Sequence, residues 1–197
     1  RKEAYITLKV GPLKELTRQA RKYYSSEIKS IKKKYDNKKV YRIFICHKNE
    51  ETFCAKTHLE LKKNIKNLLT IIIPRHIHRV EEIVTELKKY NLKIARHSSG
   101  KQNLKKIDIY IVDTFGETQK FHKNASSVFL GGSIIRRGGQ NPLEAARYGA
   151  NIFHGPNIDN FKDIYALLKD LRISKKISTP KQLASFIVFK KNKILGN

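Results

Sequence analysis

An α/β fold on a parallel sheet is predicted by three observations. Short apolar runs alternate with amphipathic stretches along most of the chain. The runs at 40–46 (VYRIFIC), 69–73 (LTIII) and 107–112 (IDIYIV) are continuous rather than alternating, as strands covered on both faces require. The segments between them have the length of crossover helices.

In order, residues 4–10 read as a strand ending at Gly11. Leu13, Leu16, Ala20, Tyr24, Ile28 and Ile31 then recur at helical spacing, followed by a lysine-rich turn at 32–39. After the strand 40–46, residues 50–66 read as a helix. The strand 69–73 is stopped by Pro74. Ile77, Val80, Ile83, Val84 and Leu87 mark an amphipathic helix. Strands at 92–96 and 107–112 follow, joined by a basic loop at 96–106 that reads as exposed. A short helix at 117–124, a strand at 127–130, a helix from Pro142, a strand at 151–153 and a helix at 160–170 come next. Phe161, Ile164 and Leu168 lie on one face of the last of these. A final helix starts near Thr179.

The chain's 197 residues suit one domain, expected to run over 1–197. Its 42 Lys+Arg against 17 Asp+Glu give a formal charge of +25. Such a field attracts nucleic acid, anionic lipid surfaces or phosphorylated substrates, and it is also what a lysine-rich solvated surface gives. Cys46 and Cys54 form neither a zinc pattern nor a disulfide framework. They read as small buried apolar residues in a reducing setting. No metal site is expected. No apolar run approaches the roughly 20 residues of a membrane-spanning helix.

Open parallel sheets bind ligands beyond the carboxyl ends of their strands. The richest loop there is Gly131–Glu144 (GGSIIRRGGQNPLE). Asn141, Pro142 and Glu144 suit the cap, first and third positions of a helix. A helix start behind glycines can hold a phosphate, with Arg136 and Arg137 adding charge. A flexible loop with a capping box fits the same residues. In Asp113-Thr114-Phe115-Gly116-Glu117, Glu117 can accept from sugar hydroxyls or Asp113 can cap the next helix. Pro74-Arg75-His76 with Arg79 offers guanidinium forks for phosphate. His47 is ambiguous, and His154-Gly155-Pro156-Asn157 reads as a structural turn.

Taken together, these segments resemble the C-terminal domain of bacterial 3-deoxy-D-manno-octulosonic acid (Kdo) transferases. The resemblance runs over about 5–165 and rests on Gly11-Pro12-Leu13-Lys14, Cys46-His47-Lys48-Asn49-Glu50-Glu51, Pro74-Arg75-His76 with Arg79, Asp113 to Glu117, Gly131-Gly132-Ser133, Gly138 to Glu144, and Gly155-Pro156 before Asn160-Phe161. Lys48-Asn49 stand where the family has Glu-Gly, and Phe115 where it has Met. The resemblance implies the C-terminal, Rossmann-like half of a GT-B glycosyltransferase. Such an enzyme moves Kdo with inversion from CMP-Kdo to the lipid A precursor in lipopolysaccharide biosynthesis, on the cytoplasmic face of the inner membrane.

It further implies that Pro74, Arg75, Phe115, Gly116, Glu117, Asn141, Pro142, Leu143 and Glu144 contact the nucleotide, with no metal or cofactor besides the donor. The acceptor site and the catalytic base belong to the family's N-terminal domain, outside this chain, so the base is unknown and donor binding without turnover is expected. An anionic membrane surface is an expected partner. Another GT-B enzyme using a UDP- or GDP-sugar, a basic nucleic-acid- or membrane-binding domain, and an inactive remnant of a split gene are the alternatives. No recognition-helix, zinc or RNP-like motif supports nucleic acid.

Overall fold

The computed structural model describes residues 41–100, 104–122 and 125–195. The expected strand 4–10, the helix from Leu13, the lysine-rich turn and the Gly11-Pro12-Leu13-Lys14 segment lie outside the described residues.

Seven parallel strands form one sheet: β1 (Tyr41–Cys46), β2 (Thr70–Pro74), β3 (Ile94–Arg96), β4 (Ile109–Ile111), β5 (Ala125–Leu130), β6 (Asn151–His154) and β7 (Ser174–Lys176). Their order is β3-β4-β2-β1-β5-β6-β7, and every pairing is parallel. The helices are α1 (Glu51–Lys62), α2 (Val80–Lys88), α3 (Thr118–His122), α4 (Leu143–Arg147), α5 (Lys162–Asp170) and α6 (Pro180–Leu195).

Side chains of β1 alternate between two cores. Phe44 and Cys46 join Phe53, Cys54 and Leu61 of α1, Ile83 and Leu87 of α2, and Leu183 and Ile187 of α6. Ile43 and Ile45 face Ala145 and Ala146 of α4 and Tyr165 and Leu168 of α5. A central strand covered on both faces has no solvated side, hence the unbroken apolar run. In α2, Val80, Ile83, Val84 and Leu87 are buried at one-face spacing.

The expected α/β architecture stands, with three local differences. β7 is an edge strand of sequence Ser-Lys-Lys, and only Ser174 is buried. It carries no apolar signature, as edge strands protected by lysine often do not. The basic loop after β3 is partly docked: His97 is half-buried and its Nδ1 lies 2.7 Å from the Tyr110 hydroxyl. The helix expected from Pro142 is a single short turn over Leu143–Arg147.

β1 is where the connections diverge. The chain leaves it toward β2 and returns to β5 on its other side. The helices after β1 and β5 cover opposite faces of the sheet. The carboxyl ends of these two strands are therefore where a parallel sheet of this topology places its ligand.

Candidate functional site

This edge of the sheet is organised by one carboxylate. Glu50, 0% exposed, ends the turn after β1. Its Oε2 accepts the N–H of Gly132 at 2.6 Å and of His47 at 3.1 Å. Its Oε1 accepts those of Ser133 at 3.2 Å and Ile134 at 3.0 Å. Consecutive loop amides of this kind make an anion nest. Here the chain's own carboxylate fills it. The sequence reading offered the glycine loop as a phosphate site, but the amides of Gly132, Ser133 and Ile134 are already engaged.

Gly131 makes the arrangement possible. A Cβ there would lie 2.3 Å from Glu50 Oε2 and 2.4 Å from the Ile45 carbonyl. The loop after β5 is also stitched to the loop after β6. The Ser133 hydroxyl accepts from Gly155 N–H at 2.8 Å, Asn157 donates to the Ser133 and Ile134 carbonyls, and Asn160 donates to the Arg137 carbonyl. The Tyr165 hydroxyl closes the set on the Gln140 carbonyl at 2.9 Å. The loops after β1, β5 and β6 are thus one hydrogen-bonded platform, and His154 to Asn157 have the structural role expected of them.

Above the platform the charge is positive. Burial lowers the His47 pKa, opposed by Glu50, and His76, Arg75 and Arg137 lower it further. Two other loops therefore bring cationic or basic groups around one imidazole. His47 and His76 have ring centroids 6.1 Å apart. Arg75, Arg136 and Arg137 are exposed and make no ion pair among the described residues. Arg79 differs: it pairs with buried Glu51 at 2.9 Å and forks onto Glu82. Its place is structural, at the start of α2.

The other candidate residues are placed as follows. Pro74 is buried at the end of β2, and the Arg75 N–H bonds the Cys46 carbonyl at 2.9 Å, aligning the first two loops. Phe115 is 81% exposed on the loop after β4, and Gly116 beside it has φ +77° with open space around it. Glu117 is half-buried and paired with Lys120 at 2.8 Å, which lowers its pKa. Asp113 does not cap α3; it accepts from Ser98 N–H and hydroxyl. Pro142, not Asn141, is the cap position of α4; Asn141 stands one residue before it, its Oδ1 accepting Leu143 N–H at 3.0 Å, while Pro142 is buried and Leu143 and Glu144 are half-buried. Strand order sets these loops in the sequence β4, β2, β1, β5 across the edge. At about 4.8 Å per strand that row spans roughly 14 Å.

The sequence reading missed Glu50 as an organising residue. Its signal was the first of two adjacent Glu residues directly after a buried strand, which also suits a helix start. Cys46 and Cys54 are buried free thiols 2.7 Å apart, as expected, and burial pushes both up. A cavity of about 300 Å³ lies away from the platform, lined by Tyr110, Glu117 and Phe121 among others. Among the described residues no group of three or more metal-ligating side chains occurs, and no helix is long and apolar enough to cross a membrane.

Comparison with known proteins finds relatives of one kind. Over 138 residues, 70% of the chain, it is 34% identical to the 3-deoxy-D-manno-octulosonic acid transferase of Rickettsia conorii. The chain is a relative of the Kdo transferases. The transferase of Haemophilus influenzae is 28% identical over 126 residues, 64% of the chain. In both cases the match spans 30% of the relative's own length. The crystal structure of the C-terminal CMP-Kdo binding domain of WaaA from Acinetobacter baumannii shares the fold, with a TM-score of 0.68 and 21% identity, covering 89% of this chain and 99% of that one. No family model matches the chain. The fold is therefore the Rossmann-like one found in the C-terminal domain of a Kdo transferase.

Proposed function

We propose that residues 1–197 are the donor-binding domain of a Kdo transferase and bind CMP-Kdo along the carboxyl edge of the sheet. The enzyme it serves transfers Kdo to the lipid A precursor in lipopolysaccharide biosynthesis, at the cytoplasmic face of the inner membrane. The observation that carries this reading is the cluster of basic side chains around His47 at the β1/β5 divergence, in a chain related to Kdo transferases.

In this reading the CMP phosphate sits among Arg75, Arg137 and His76. The cytosine lies toward Phe115, whose exposed ring offers a stacking face, and the open backbone at Gly116 lets the base approach. Asn141 to Glu144 contact the ribose and the phosphate edge. Leu143 N–H is already capped, so Glu144 contributes its carboxylate rather than a helix-start amide. Transfer breaks the bond between the Kdo anomeric carbon and the phosphate oxygen, and negative charge grows on CMP. Fixed guanidinium groups stabilise that charge best if they need not move. Glu50 supplies rigidity from below by holding the loop that carries Arg137. Donor binding is assigned to this chain, and the catalytic base to none of its residues.

Thermal shift and calorimetry with CMP, UMP, GMP and a short DNA duplex test the proposal. CMP is expected to raise the melting temperature and the other nucleotides not. Salt-sensitive DNA binding without a CMP response returns the reading to a basic nucleic-acid module.

A further inference from the structure

A second basic feature lies at the opposite side of the molecule from the β3 edge. A groove of about 660 Å³ runs between α5 and edge strand β7. Its apolar wall includes Ile158, Ile173 and Phe186, each half-buried with the remainder open. Its rim carries Lys162, Lys169, Arg172, Lys175 and Lys176, and no Asp or Glu lines it. None of the five cations forms an ion pair among the described residues, and Lys175 lies 3.4 Å over the Phe186 ring.

Ordinary structural reasons account for only part of this. Lysines on a short edge strand discourage edge pairing, which explains Lys175 and Lys176. A helix C-terminus favours cations, which suits Lys169. Lys162 is the first residue of α5, where the helix dipole disfavours a cation. Arg172 is stranger. Its N–H bonds the Lys169 carbonyl at 2.8 Å and Ile173 N–H bonds the Leu168 carbonyl at 2.9 Å, the paired bonds of a helix cap that normally ends in glycine. Arg172 holds φ +58° there, at a conformational cost glycine would not carry.

We infer that this groove binds an anionic phospholipid, its phosphate headgroup held by the rim cations and one acyl chain laid along the apolar wall. Charge complementarity selects this occupant: a purely cationic rim over an apolar trough matches an anionic amphiphile. The chain's own segment 1–40 is itself rich in lysine and arginine, so charge does not favour it as the occupant. The groove shares His154, Ile158 and Tyr165 with the platform but none of the residues assigned to the donor, so variants of its rim cations test it apart from the donor assignment.

The chain has no tryptophan, so Phe186→Trp gives a single reporter in the trough. The full chain is floated with phosphatidylcholine vesicles, with and without phosphatidylglycerol, at about 0.15 M salt. Phosphatidylglycerol-dependent binding and quenching of the reporter by brominated acyl chains are expected. Lys162→Glu with Lys169→Glu should weaken vesicle binding at least tenfold. The charge-matched Lys63→Glu with Lys66→Glu, after α1 and outside the groove lining, should weaken it less than threefold. Arg172→Gly should weaken vesicle binding while leaving the melting temperature unchanged or higher, and all should bind CMP as the parent does. Equal losses in both double variants, or vesicle binding without bromine quenching, means adsorption by net charge and overturns the proposal. So does displacement by millimolar inorganic phosphate or by polyglutamate with no acyl contact, which would assign the groove to a soluble anion or an acidic peptide.

Discussion

The Glu50 carboxylate accepts the Gly132 amide at 2.6 Å across 82 residues of sequence, tying the loop after β1 to the loop after β5. Three further amides share that carboxylate. Glu50→Ala leaves buried donors unmet, and an unmet buried donor costs about 1–3 kcal/mol. The variant should lose about 3 kcal/mol in urea denaturation and bind CMP at least tenfold more weakly. Unchanged stability would show that water replaces the carboxylate and that the platform does not depend on it.

Gly131→Ala approaches the same joint from the other side. The added methyl meets both Glu50 and the Ile45 carbonyl, and backbone cannot yield as a side-chain tip does. A loss of about 2 kcal/mol is expected, as overpacking typically costs. A denaturation midpoint within error of the parent's would contradict the geometry.

Arg75 and Arg79, four residues apart, should separate binding from folding. Arg75→Ala removes an exposed cation and is expected to weaken CMP tenfold at unchanged stability. Arg79→Ala strands the buried Glu51 carboxylate and should cost about 3 kcal/mol. Paired calorimetry and denaturation on the two variants read this out; the reverse pattern sinks the assignment of roles.

These contrasts show what was legible in the chain. The strand–helix alternation and the carboxyl-edge loops could be read because period and burial leave a pattern in apolar residues such as Ile71 to Ile73 and Val80 to Leu87. β7 could not be read, because Lys175 and Lys176 are held by backbone pairing to β6 and not by burial. Pro74-Arg75-His76 and the glycine loop stood out by composition. That Glu50 occupies the glycine nest, and that Arg79 is structural where Arg75 is free, depend on contacts between segments distant in sequence, which spacing does not encode.

His122 predicts an acid sensitivity unrelated to the site. It is buried, neither ring nitrogen has a partner, and burial lowers its pKa from 6.5 to about 4. The unfolded chain therefore binds a proton more readily than the folded one. The stability this group contributes is intact above about pH 6.5 and is lost as pH falls toward about 4. The loss approaches about 3 kcal/mol. Burial shifts His47 and His154 the same way. His122→Leu should flatten the stability profile between pH 4 and 6.5. A profile as steep as the parent's places the sensitivity elsewhere.

Phe115 bears most directly on the central claim, because an aromatic ring 81% exposed contributes little to folding. Calorimetric titration of the parent and Phe115→Ala with CMP is the decisive measurement. The account predicts one CMP site, binding at least tenfold tighter than UMP or GMP. In the variant CMP should weaken about tenfold with the melting temperature unchanged, the scale of one lost base–aromatic stack. CMP binding that is absent, equal to that of UMP and GMP, or indifferent to Phe115 would contradict a cytidine-nucleotide site on this edge of the sheet.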